Sequence, residues 1–422
     1  MGIGESSVSQ LARQLRLGDA IAIGVASMVG AGVFAVWGPA ASAAGSWLIV
    51  GLALAALVAW CNATSSAQLA AQYPSAGGTY VYGRERLGQW QGYLAGWCFV
   101  IGKTASSAAM AMVFSSYWAP EGWAKPIAVG IVWPLVLINI LGATRTAQAA
   151  KVLVVLAIVG IATALVTGWV HPPTSASFEW VTTSPYGVLQ SAGLMFFAFA
   201  GYARIATMGE EVIDPERNIR RAIIGALSIT LVLYALVAWT LVSKVGAAAL
   251  AGNPAPLTLL VGDNTVARIV LIIGATAASA GALLGLLSGI GRTWLAMART
   301  HDLPSWFNHT SERFKTPHRI EITVGLVLTV VVILADLRGA IGFSSFGVLL
   351  YYFVANMAAY TQTTPYRRYH RAWQVLGALM CLVLVVTLPY LSVIMGLAVL
   401  AVGVLWRMLK PRPTISSDES NP

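Results

Sequence analysis

Charge is what this sequence has least of. Of its 422 residues only 10% are Asp, Glu, Lys or Arg, against 57% that are hydrophobic. Between Asp19 and Arg84 no charged side chain occurs at all. At about 1.5 Å of rise per helical residue, that stretch crosses a bilayer core of roughly 30 Å twice over. So little charge excludes a single water-soluble core and makes lipid part of the solvent. Cysteine is scarce as well: Cys61, Cys98 and Cys381 lie inside apolar runs without metal-type spacing, which excludes a disulfide framework and a zinc site. His171, His301, His309, His318 and His370 form no i, i+4 pair and have no carboxylate at catalytic-motif spacing, so metal-dependent hydrolysis finds no support. Residues 1–18 are polar and amphipathic, not a cleavable leader, and the first apolar segment is expected to direct insertion.

What is present is a series of apolar runs separated by charged or Pro/Gly joints. They fall at about 19–45, 47–71, 90–118, 126–142, 149–170, 186–208, 221–246, 266–295, 320–335, 339–361, 373–389 and 391–407, which predicts twelve transmembrane helices in an all-α integral membrane protein. The net charge of +10 would suggest nucleic acid in a soluble protein, but here it follows the loops. With the amino terminus inside, the inner segments receive Arg84, Arg86, Arg145, Lys151, Arg217, Arg220, Arg221, the run from Arg292 to Arg319, Arg367, Arg368 and Arg371, while the outer loops keep Lys125, Lys244, Arg268 and Arg338. That asymmetry puts both termini in the cytoplasm of a multi-pass protein of the cell membrane and requires no nucleic-acid partner. Residues 411–422 are expected to be a disordered cytoplasmic tail.

Two spans carry glycine where a straight helix does not want it. The first reads Ser27-Met28-Val29-Gly30-Ala31-Gly32-Val33-Phe34, and the sixth reads Phe196-Phe197-Ala198-Phe199-Ala200-Gly201-Tyr202. Glycine interruptions five helices apart point to an inverted-repeat transporter with a midplane site, while close helix packing through small residues is the alternative. Interrupted main chain survives in lipid only where its freed groups line a cavity or find partners. A zwitterion supplies such partners. The amides of Gly30, Ala31 and Gly32 can hold a carboxylate, and carbonyls near Met28 and Phe199 can hold an ammonium group.

At this point the residues acquire a likeness. Val29 to Phe34, Tyr73-Pro74-Ser75-Ala76-Gly77-Gly78-Thr79-Tyr80, Gly209 to Arg217, Arg292 to Arg299, Thr316-Pro317-His318 and Leu350-Tyr351-Tyr352, in this order, resemble the bacterial amino acid permeases of the amino acid, polyamine and organocation transporter superfamily. The resemblance implies a five-plus-five inverted repeat with two peripheral helices: residues 19–170 and 186–361 as the repeats joined by an outer loop at 171–185, then 362–410. It implies secondary active transport, with the substrate held between the first and sixth helices by Met28, Gly30, Ala31, Gly32, Ala200 and Gly201. It makes Phe197 and Phe199 a lid beside the substrate, and Tyr351 and Tyr352 further gate candidates. The chain departs from the family in two places. Many relatives carry an acid two positions past the sixth-helix glycine, where Ala203 stands here, and some proton-coupled ones carry a lysine in the fifth helix, where Ala157 stands.

Intramembrane charge is the other informative feature. Lys103 sits mid-span, where an uncompensated charge costs about 2.5–3.5 kcal/mol on insertion scales. It either stands in for a bound cation or takes part in proton coupling, or else it is structural and meets a carbonyl or snorkels. Arg204 keeps its charge, which argues against proton carriage; an inner-gate or structural role competes with contact to an acidic substrate group. Ser288 on the eighth span is a candidate for a cation site, against the ordinary serine that bonds its own helix. Glu210, Glu211, Asp214, Glu216 and Arg217 read as a solvated ion-pair cluster. Gly96 to Thr104 superficially resembles a phosphate loop but has the wrong spacing and lies mid-span. No cofactor is expected and no enzyme. The expected function is proton-coupled transport of an amino acid or related amine, with a non-transporting receptor or an ion channel as the alternatives.

Overall fold

The computed structural model describes residues 15–30, 32–73, 77–141, 146–171, 184–206, 208, 211–311, 313–314 and 316–409, with the backbone alone at 146–151. Among these the chain is all-helical, and the single β-bridge pairs Leu15 with Val212. The helices are α1 (Leu17–Met28), α2 (Gly32–Ala35), α3 (Trp37–Ala44), α4 (Leu48–Gln72), α5 (Thr79–Leu87), α6 (Gln89–Ser116), α7 (Ala124–Ile140), α8 (Thr146–Val170) and α9 (Pro185–Phe199). They continue with α10 (Ala203–Ala206), α11 (Pro215–Lys244), α12 (Ala247–Leu250), α13 (Thr258–Val261), α14 (Thr265–Arg299), α15 (His318–Leu334), α16 (Leu337–Tyr360), α17 (Arg371–Thr387) and α18 (Tyr390–Leu409).

Nine stretches among the described residues are long and apolar enough to cross a membrane, and α7 and α17 are shorter apolar helices. The polar joints do the punctuating. The Ser184 hydroxyl accepts from the Gly187 N–H at 3.1 Å with Pro185 following, Asn264 accepts from Ala267 at 3.0 Å, and Asp336 from Gly339 at 2.9 Å; these caps start α9, α14 and α16. Gly88, at φ +111°, turns the chain from α5 into α6, a conformation closed to other side chains at little cost.

Small residues bring the long helices together, as they do where lipid removes any hydrophobic drive between helices. A methyl group at Gly347 would lie 2.8 Å from the Cα of Gly102, and one at Gly274 2.9 Å from that of Gly160, so α16 lies against α6 and α14 against α8 with backbones nearly touching. At the end of the bundle where α14 finishes, buried Asp302 gathers three elements. Its carboxylate accepts from Arg84 at 2.9 Å and from the Tyr80 hydroxyl at 2.7 Å, both on α5, and is ion-paired with Arg407 of α18. Main-chain bonds from Leu15 N–H to the Glu211 carbonyl (3.0 Å) and from Ile213 N–H to the Leu15 carbonyl (2.9 Å) tie the chain ahead of α1 to the segment before α11.

Candidate functional site

Both glycine-marked spans are interrupted. The first stops at Met28 and restarts at Gly32, with Ala31 outside the described residues. The sixth does not open into extended chain, as an unwound span would; its ladder tightens into a 3-10 turn over Ala200–Tyr202 before the short α10. Such a turn within a helix leaves main-chain groups poorly matched and commonly marks a hinge. The two interruptions touch. Gly201 packs on the backbone of Ser27 and Met28, where any side chain would overlap main-chain atoms.

Two side chains from outside the breaks complete the main-chain groups there. The Tyr234 hydroxyl of α11 lies 2.6 Å from the Met28 carbonyl and 3.0 Å from that of Ala198, so its one proton serves the break in each span. Lys103 of α6, only 6% exposed, donates from Nζ to the Ala200 carbonyl at 3.2 Å. The carbonyl expected to lie bare at Met28 is therefore met by a phenol, and a lysine ammonium already stands where a cation was expected at the sixth-helix break.

A cavity of about 250 Å³ opens beside this junction. Its walls come from α1 (Ile23, Ala26, Ser27), α6 (Phe99, Lys103, Ser106, Met110), α8 (Leu153, Val154, Ala157), the sixth-span break (Phe197, Gly201, Arg204) and α14 (Ala278, Gly281, Ala282, Gly285, Ser288, Gly289). It runs toward Leu15, Glu211 and Arg292; from Ser27 to the start of α1 at Leu17 is about 15 Å. In the other direction none of its described lining residues lies on α2, α3, α12 or α13. There Phe34 and Trp37 are fully buried, the Phe34 carbonyl accepts from the Tyr117 hydroxyl at 2.6 Å, and the Gly38 carbonyl accepts from Gly252 N–H at 3.3 Å. Among the described residues, then, the lining extends from the breaks toward Leu15, Glu211 and Arg292 and not onto α2, α3, α12 or α13.

Of the expected site residues, Lys103, Phe197, Gly201, Arg204 and Ser288 line this cavity. Met28, Phe199 and Ala200 are buried beside it: the Phe199 ring packs on Tyr234 at 5.0 Å, and Ala200 contributes the carbonyl that Lys103 holds. Gly30 and Gly32 face neighbouring helices instead, a methyl at either falling 2.8 Å from Ala282 Cβ or Ala198 Cα respectively. Tyr351 and Tyr352 are buried off the cavity. The Tyr351 hydroxyl accepts from the Thr79 N–H at 3.1 Å, its ring backs the wall residue Phe99 at 5.2 Å, and Tyr352 packs on Tyr202 at 5.1 Å. Glu211, expected in a solvated cluster, lines the mouth 3.7 Å from Arg292; Glu210 lies outside the described residues. Ala157 and Lys103 line the same cavity from α8 and α6, so the amine reaches this space from a different helix than the resemblance implies.

A hollow of about 250 Å³ thus lies between apolar helices long enough to cross a membrane, and the described residues hold no group of three His, Cys, Asp or Glu that could bind a metal. The comparisons with known proteins name the family. A family model described as amino acid permease matches residues 15–409, and the chain belongs to that family: it is a membrane transporter and not an enzyme. An uncharacterized transporter of Mycobacterium tuberculosis is 49% identical over 401 residues, covering 94% of this chain and 90% of the relative. A methylthioribose transporter of Bacillus subtilis is 29% identical, with 85% and 81% covered. A vacuolar cationic amino acid transporter of Arabidopsis thaliana is 30% identical, with 81% and 62% covered.

Proposed function

We propose that this chain is a secondary active transporter for an amino acid or a related amine, working by alternating access and coupled to protons. One observation carries the reading. The cavity lies against two touching, interrupted spans, and its described lining runs to one side of them, toward Leu15, Glu211 and Arg292, which supports a carrier open to one face. In the proposed frame twelve spans form two inverted five-helix repeats and two peripheral helices, both termini are cytoplasmic, and the open end, where Arg84, Arg292 and Arg407 gather, faces the cytoplasm of the cell membrane. The amino-acid class is supported by family membership and by backbone groups at the breaks that suit a zwitterion.

Substrate would sit among Ser27, Phe197, Gly201 and Lys103, with Phe197 as its lid and the pair Arg292–Glu211 at the mouth as an inner gate beside Arg204. Proton coupling is supported by Lys103: it is the cavity amine at depth, holds a carbonyl at a break, and is of the residue type able to release a proton when buried. Reconstituted liposomes given a panel of labelled amino acids under imposed proton or sodium gradients test the reading. Uptake driven by an inward proton gradient is expected. Ligand-induced thermal stabilisation without uptake would make the chain a receptor, and uptake that ignores the proton gradient would remove the coupling.

A further inference from the structure

A second acid is buried near the end of α14. Glu321, in the first turn of α15, is 3% exposed. Asp302 meets Arg84 and Arg407, whereas Glu321 makes no ion pair among the described residues. Its place is shaped for it. A methyl group at Gly291 of α14 would overlap the Glu321 Oε1 and stand 3.7 Å from the Pro317 ring, so glycine at 291 leaves the carboxyl a notch against the helix. Asn139 of α7 bears on it from the other side, yet Glu321 Oε2 and Asn139 Nδ2 are both buried without a hydrogen-bond partner among the described residues.

The charges around the notch are engaged elsewhere. α15 packs on α6, α7 and α14. The one charge of α7, Lys125, lies at its far end and donates to the Ile333 carbonyl at 2.6 Å. The one charge of α6 is Lys103, held at Ala200; of its other titratable groups, Tyr93 donates to the Gly403 carbonyl, Tyr117 to that of Phe34, and Cys98 is a buried thiol. On α14, Arg268 is at the far end, Arg292 lies 3.7 Å from Glu211, and Arg299 is exposed. On α15 itself Arg319 donates to the Trp306 carbonyl at 3.0 Å, and His318, one turn ahead of Glu321, stands with its ring 5.3 Å from that of His309. An ionised Glu321 would therefore be an unpaired charge in apolar surroundings, which a neutral carboxyl avoids. The notch also lies behind the cavity mouth: Gly289, Arg292 and Thr293, on either side of Gly291, line the cavity.

We propose that Glu321 is a proton-binding site distinct from Lys103. With its proton, the neutral carboxyl fills the Gly291 notch and keeps α7 and α15 packed on α14; when the proton passes to water at the end where α14 finishes, the carboxylate is drawn after it and the packing behind the mouth loosens. Transport slows as pH rises at that face. The effect on transport rests on the transporter reading; the proton site does not.

The test follows the thermal midpoint of the purified full chain, without substrate, from about pH 5 to about pH 9 in the parent, Glu321→Gln and Glu321→Leu. An acid that keeps its proton in the folded chain and loses it in the unfolded one makes the parent fall relative to both variants as pH rises, by about 2 °C or more, and the variants match or exceed the parent at the alkaline end. Should glutamine not be accommodated, the leucine variant decides. A parent that gains on the variants as pH rises has an ionised, paired Glu321, and an equal slope in all three belongs to His318 or another group; either result overturns the proposal. Exchange of labelled alanine, lysine and glutamate, each across liposomes at one pH on both sides, reads the mouth: alkaline pH slows the parent by up to about tenfold and leaves Glu321→Gln unchanged. Equal slowing of both overturns the link to the mouth. Exchange of none of the three by the parent at any pH overturns the transporter reading, and the midpoints still decide the proton site.

Discussion

Lys103 Nζ donates to the carbonyl oxygen of Ala200 across 3.2 Å, so a side chain on α6 satisfies main chain where the sixth span tightens into its 3-10 turn. An amine buried in lipid needs such a partner, and a carbonyl released from its helical ladder needs a donor. Each residue removes the cost of the other. In the proposed coupling, this contact would tie the state of the amine to the geometry of the break.

Lys103→Met removes the amine and leaves the Ala200 carbonyl without this donor, at about 1–3 kcal/mol for an unsatisfied buried group. The variant is expected to keep substrate counterflow but lose its response to an imposed proton gradient. Lys103→Arg keeps a permanent charge and is expected to bind substrate without gradient-driven accumulation. Uptake and its pH dependence unchanged in Lys103→Met would sink the coupling role.

Tyr234→Phe keeps the ring against Phe199 and Trp37 and deletes only the hydroxyl shared by Met28 and Ala198. A loss of about 1–3 kcal/mol in stability is expected, with KM raised because the two breaks are no longer pinned together. Thermal unfolding of the purified protein and uptake kinetics check the two halves; a variant indistinguishable from the parent in both removes Tyr234 from the site.

Asp302 is the hub where α5, α18 and the end of α14 meet, and its loss strands Arg84 and Arg407 together. Removing one partner of a buried ion pair typically costs about 3–5 kcal/mol, so Asp302→Ala is expected to cost far more than Arg84→Ala, whose side chain is 23% exposed. Tyr80 adds a pH dependence. Burial, opposed by its bond to Thr300 and reinforced by Asp302, pushes its phenol from 10.0 up to about 12. The folded state holds this proton more tightly than the unfolded one, so the contribution is full below pH 10 and is lost as pH rises toward about 12. Tyr80→Phe should flatten the alkaline fall in thermal midpoint relative to the parent; an identical fall in both proteins would contradict the assignment.

The glycines of the first and sixth spans were visible as sequence, and so was the odd lysine among apolar neighbours, because each breaks a local rule for a membrane helix. What they meet was not visible. Tyr234 lies in an apolar run where a tyrosine is unremarkable, and its partner Met28 is 206 residues away. Asp302 sits in a basic stretch that reads as a solvated loop; the approach of α5 and α18, far away in sequence, surrounds its carboxylate. Periodicity alone likewise cannot tell a glycine that admits a neighbouring backbone, as at Gly32, from one that leaves open space, as at Gly285. That difference is set by the opposite helix.

The junction of the two breaks gives the sharpest contrast. At Gly201 any Cβ would overlap the Ser27 carbonyl and crowd Met28 N at 2.6 Å, and what must move is main chain on both spans, not the tip of a flexible side chain. Gly201→Ala is therefore expected to separate the first and sixth spans and abolish uptake even where the protein still inserts. Gly130 on α7 is exposed, with nothing among the described residues within 4 Å of an added methyl. Gly130→Ala should leave uptake intact and favour the helix by up to about 1 kcal/mol. Uptake assayed alongside expression separates the outcomes. If Gly201→Ala transports like Gly130→Ala, the close approach of the breaks has no part in function, and the cavity beside them loses its claim to be the solute site.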